Sequence, residues 1–83
     1  MKDMNPTGVR MLPIQCRMAR SALGWSTRVM ARRCDLSHDT IARFERGETV
    51  LATTVTAMKR ALERRGVEFI DGERPGVRIA KGR

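Results

Sequence analysis

Leu23-Gly24-Trp25-Ser26-Thr27-Arg28-Val29-Met30-Ala31-Arg32-Arg33-Cys34-Asp35-Leu36-Ser37-His38-Asp39-Thr40-Ile41-Ala42-Arg43-Phe44-Glu45-Arg46-Gly47 is the stretch that decides the fold. It reads as two short helices joined by a tight turn. Ser26 and Ser37 each stand just before a helical run, where a side-chain oxygen can accept from the free N–H groups of the first turn. In the first run, 27–34, Met30, Ala31 and Cys34 fall on one side and Arg28, Arg32 and Arg33 on the other. The second run, 38–46, turns Ile41 and Phe44 inward and leaves His38, Asp39, Ala42, Arg43 and Arg46 outward. Asp35-Leu36-Ser37 fills the gap. Gly47 supplies the left-handed residue that stops the second helix.

On the N-terminal side, Pro13 suits the first turn of a helix, where a missing N–H costs nothing. Cys16, Ala19, Arg20 and Leu23 then recur at helical spacing until Gly24. Leu12, at the expected cap, is a poor capping residue. On the C-terminal side a fourth helix spans about 53–65. Leu51, Val55, Met58 and Leu62 form its inward stripe, with Lys59, Arg60, Glu63 and Arg64 off that stripe, and Gly66 closes it. The period then changes to two over Val67-Glu68-Phe69-Ile70 and Val77-Arg78-Ile79-Ala80, giving strand, loop, strand. A lone two-stranded ribbon is marginal in water. Val67 and Phe69 are therefore expected to pack on the first and fourth helices, with strand pairing between two subunits as the alternative. A helix, a short turn and a second helix is the unit that lays its second helix in a DNA major groove.

The chain has 83 residues, enough for one small domain. It carries a formal net charge of +8 and a sequence pI of about 11.3. Apart from Lys2, Lys59 and Lys81, every basic residue is arginine, the side chain best matched to phosphate and guanine. A small domain this basic implies a polyanionic partner, most often nucleic acid. Two phenylalanines, one tryptophan and no tyrosine leave few platforms for stacking single-stranded RNA bases, so RNA ranks below duplex DNA. No apolar run approaches a membrane span and no signal pattern opens the chain, which sets the expected location in the cytoplasm of a bacterium or phage host, on the nucleoid when bound. Cys34 and His38 lie four apart, but a structural metal site needs four ligands, so no metal and no cofactor is expected. One histidine and scattered acids present no nucleophile-and-base set, which argues against an enzyme.

Arg20, Leu23-Gly24-Trp25-Ser26, Met30-Ala31, Leu36-Ser37, Thr40-Ile41-Ala42-Arg43-Phe44-Glu45 and Gly47 together resemble the phage-repressor and Cro-like helix-turn-helix family of transcriptional regulators. Val55, Met58 and Ala61-Leu62 extend the likeness. Gly66-Val67-Glu68-Phe69-Ile70 and Pro75-Gly76-Val77-Arg78 look like a bacterial subgroup that adds a terminal hairpin. The resemblance implies a mostly α fold, a four- to five-helix repressor-like domain with a short C-terminal β-hairpin. With no periodicity in residues 1–10 and a change of period after Gly66, the chain is expected to divide into a flexible tail (1–10), a DNA-binding domain (11–66) and a hairpin extension with a frayed end (67–83). The resemblance also implies a buried structural salt bridge between Arg20 and Glu45. His38, Asp39 and Arg43 match the family's base-reading positions, and Ala42 is expected to lie against a thymine methyl. Thr27, Ser37, Thr40 and Arg46 match phosphate-facing or edge positions, Ser26 is counted with them, and Arg10, Arg17, Arg28, Arg32 and Arg33 are expected to supply further phosphate contacts through their charge. Thr27 stands where the family usually has glutamine, and Asp35 where it usually has glycine. The implied partner is double-stranded DNA, bound as a homodimer. An antitoxin-like role, with the hairpin holding a small protein partner, is the alternative.

Overall fold

The computed structural model of the chain describes residues 10–80. Its helices are α1 (Pro13–Leu23), α2 (Thr27–Cys34), α3 (His38–Glu45) and α4 (Ala52–Arg64), followed by strands β1 (Val67–Ile70) and β2 (Gly76–Ile79). The four to five helices expected are therefore four among the described residues. The tail expected over 1–10, residue 10 apart, lies outside those residues, as does the frayed end at 81–83.

Each helix starts and stops for a local reason. Pro13 opens α1, and Gln15 does what the Leu12 side chain cannot: its Oε1 accepts from the Leu12 N–H at 2.8 Å. Gly24, at φ 72, ends α1 by turning left-handed, which lets the Trp25 N–H reach back to the Arg20 carbonyl at 2.9 Å. Ser26 accepts from the Val29 N–H at 3.1 Å to cap α2. Asp35 ends that helix at φ 59, a left-handed conformation that aspartate adopts more readily than most residues with a Cβ. The Leu36 N–H then closes on the Ala31 carbonyl at 2.9 Å. Ser37 caps α3, accepting from the Thr40 N–H at 3.2 Å.

The core lies where α1, α2, α3, α4 and the inner hairpin face meet. Cys16 and Ala19 of α1, Met30 of α2, Ile41 and Phe44 of α3, and Met58 and Leu62 of α4 are buried there with Trp25, Val67 and Phe69. The hairpin is antiparallel, pairing Val67 with Ile79 and Phe69 with Val77, so these side chains share its inner face. Glu68 and Arg78 pair on the outer face at 3.0 Å.

Two expectations for the fourth helix need correction. Leu51 is 73% exposed. It precedes α4 as the N-cap residue with extended backbone, so helical spacing does not carry its side chain onto the buried stripe. Lys59, expected off the stripe, is buried at 6%. Its ammonium lies 5.8 Å from the Phe69 ring centroid and 3.7 Å from Glu63, so the apolar stem covers the core while the charge meets an aromatic face and a carboxylate.

Gln15 fastens the hairpin to α1. It is 1% exposed, and its Nε2 donates to the carbonyls of Ile70 and Gly76 at 2.9 and 3.0 Å. Those two residues form the rung at the hairpin mouth. Gln15→Ala is expected to cost about 2–4 kcal/mol in urea denaturation, because three hydrogen bonds of a buried side chain are lost and the Ile70 and Gly76 carbonyls lose their side-chain donor. A loss below about 1 kcal/mol would show that the strands hold their place without this tie.

Candidate nucleic-acid interface

The helix-turn-helix unit is α2, the turn Asp35-Leu36-Ser37 and α3, with α2 packed directly on α3. One side of α3 is anchored: Ile41, Phe44 and Glu45 are buried. His38, Asp39 and Arg46 on the other side are exposed, and Ala42 and Arg43 are partly exposed beside them. Arg28 and Arg32, one turn apart on α2, are both exposed. Thr27 opens α2, next to its cap Ser26. The candidate base-reading and phosphate-facing residues thus come from the starts of α2 and α3, from Arg32 in the last turn of α2 and from the outer side of α3.

The hydroxyls here are already partly committed. Ser26 and Ser37 use an oxygen lone pair in capping, which leaves the O–H of Ser26 free to donate. The hydroxyls of Ser37 and Thr40 also bond each other at 2.9 Å. One of those two protons is spent between them, so the pair can offer one further donor to a phosphate oxygen.

Glu48, which the sequence reading passed over, organises the end of α3. Its N–H bonds the Arg43 carbonyl at 3.0 Å through the reversal at Gly47, φ 92. The carboxylate folds back over the helix. Oε2 accepts from Arg46 Nε and Nη2 at 3.0 and 2.9 Å, and Oε1 accepts from Arg43 Nε at 3.3 Å. Asp39 stands on the other side of Arg43, at 3.8 Å. Hydrogen bonding to Arg46 first, with Arg43 adding, holds the Glu48 carboxyl below the ordinary carboxylate range. Arg43 is therefore held between two acids and must exchange them for any base or phosphate it contacts. Glu48→Gln, which removes one negative charge beside the candidate phosphate contacts, is expected to tighten duplex binding and steepen its salt dependence by about 0.9 in log–log slope. Weaker binding by the variant would instead mean that the carboxylate is needed to aim the arginines.

Behind this surface, Arg20 and Glu45 join α1 to α3. Arg20 Nε and Nη2 reach the two Glu45 oxygens at 2.7 Å each, and Nη1 donates to the Trp25 carbonyl at 2.9 Å. The hydrogen bond to Glu45 raises the Arg20 pKa further above its ordinary value. Arg17, a candidate phosphate contact on charge alone, donates to the Glu45 carbonyl at 2.6 Å and so serves the C-terminal end of α3. Arg33 lies over the Trp25 ring, 5.1 Å from its centroid.

Cys16 lies next to this pair. Burial first, then the Glu45 carboxylate, pushes its thiol far above the ordinary value, and burial also raises Cys34. A folded-state thiol pKa above the unfolded one contributes stability that is complete below the unfolded value and is lost as pH rises. The midpoint of urea denaturation is accordingly expected to fall above about pH 9, the ordinary thiol range. Cys16→Ala should flatten that fall, and an unaltered slope in the variant would assign it to other groups.

Residues 14–69 match the family model described as a helix-turn-helix domain, and the chain belongs to that family, in its Cro-like form. Such a domain points to DNA binding and a regulatory role. No curated protein matches the chain. Among the described residues no helix is long and apolar enough to cross a membrane, and no three metal-ligating side chains gather into a site.

Proposed function

We propose that this protein is a sequence-specific double-stranded DNA-binding regulator, a small repressor that blocks transcription by occupying its operator. In this reading α3 enters the major groove. Arg43 reads guanine O6 and N7, His38 and Asp39 contact base edges near the helix start, and Ala42 lies against a thymine methyl. Arg28, Arg32 and Arg46, helped by the hydroxyls of Ser26, Thr27, Ser37 and Thr40, hold the flanking phosphates and set the register. Binding is dimeric, on half-sites about one helical turn apart.

The observation that supports this reading is the outer side of α3. Its polar and cationic side chains are left to solvent while the opposite side is anchored by Ile41, Phe44 and the Arg20–Glu45 pair. Selection of bound sequences from a random duplex pool tests it. A two-fold symmetric consensus is the expected outcome. A pool that shows no enrichment would reduce the interaction to charge attraction and overturn the assignment.

A further inference from the structure

We propose that the cleft between α2 and α4 is a binding site for a small, multiply charged phosphate anion. The cleft has a volume of about 350 Å³ and is walled by Arg33 at the end of α2 and by Arg60 and Arg64 of α4. Thr53 and Thr56 add hydroxyls, and Asp35 is the one carboxylate on the lining. Thr53, Thr56, Arg60 and Arg64 follow one another at spacings of three and four, which places them along a single stripe of α4. No carboxylate among the described residues forms an ion pair with Arg33, Arg60 or Arg64. A second cleft of about 130 Å³, beside Trp25, shares Arg33 and Arg64 and adds Arg65.

Arg33, Arg60 and Arg64 are exposed and line one concavity, so an anion held there offsets the repulsion among their charges. Guanidinium forks match phosphate oxygens in pairs, and threonine hydroxyls can donate to the remaining oxygens. The volume suits a compact ligand of pyrophosphate or nucleotide size. A duplex presents a convex ridge of phosphates, which meets protruding side chains rather than the floor of a cleft. The neighbours of α4 also set this site apart from the outer side of α3, since α4 packs on α2, β1 and α1. The cleft opens beside Asp35, at the turn leading into α3.

Trp25, the only tryptophan, lies under Arg33 and reports on the site. Tripolyphosphate is titrated into the full chain and followed by Trp25 fluorescence and calorimetry, with sulfate at matched ionic strength as the comparison. Saturable binding to one site is expected, weakened at least tenfold in the double variant Arg60→Ala, Arg64→Ala and unchanged within twofold in Arg28→Ala, Arg32→Ala. Charge reversal at the exposed Arg64, in Arg64→Glu, is expected to abolish binding, and far-UV circular dichroism of each variant checks that it is folded. Equal losses in the two double variants, or equal response to sulfate, would reduce the effect to general attraction by a basic surface. Tighter binding of a hexaglutamate peptide than of tripolyphosphate would overturn the proposal in favour of an acidic peptide. So would a loss of duplex binding in Arg60→Ala, Arg64→Ala with tripolyphosphate binding intact, in favour of the DNA backbone.

Discussion

Glu45→Ala is expected to remove about 3–5 kcal/mol of folding stability, because it leaves the partly buried Arg20 guanidinium without its carboxylate. The Arg20 side chain is 18% exposed and that of Glu45 7%, and the two meet through paired 2.7 Å contacts. Arg20 also holds the Trp25 carbonyl at 2.9 Å, so the loss reaches the loop between α1 and α2 as well as the seat of α3. A small domain has only about 5–15 kcal/mol in total, and the variant should be partly unfolded at physiological temperature. Urea denaturation measures the effect. Replacing both partners with apolar residues of similar volume, as in Arg20→Met with Glu45→Leu, should recover much of the loss, since no charge is then stranded. A single variant within about 1 kcal/mol of the parent would show that water reaches the pair and screens it.

Arg43→Ala is expected to weaken operator binding by about 1–3 kcal/mol, or roughly 5- to 150-fold, if its fork reads a guanine. The loss should fall on discrimination between operator and unrelated duplex. Arg28→Ala, at a candidate phosphate contact, should instead weaken both alike and lower the salt slope by about 0.9. Arg43 leaves its contacts with Glu48 and Asp39 when it engages a base, so the measured value is a net exchange of acids for a base edge. An unchanged ratio of operator to unrelated affinity in Arg43→Ala, combined with His38→Ala, would remove α3 as the reading element.

Local signals and long-range contacts account for different parts of the fold. The caps at Ser26 and Ser37, the stop at Gly24 and the left-handed Asp35 depend on residues within five positions of one another. All can therefore be read directly from the chain. Glu48 is equally local, two residues past Arg46, but it lies outside the helix where periodicity has no bearing. The cue for it was Gly47, whose reversal sends the following carboxylate back along α3. Arg20 and Glu45 stand 25 positions apart. Helical spacing puts Arg20 on an inward face, but only the family resemblance suggested its partner.

The sequence by itself settled the two helix starts, the turn between them and the amphipathic division of α2 and α3, because those features are built from neighbours along the chain. Packing determined the rest. Gln15 is buried because carbonyls 55 and 61 residues away need its donors. Lys59 is buried because Phe69 passes beneath its ammonium, and Arg33, Arg60 and Arg64 share a cleft because α4 lies against α2. Each of these depends on segments brought together only when the chain closes on itself, and no spacing along the sequence encodes that distance.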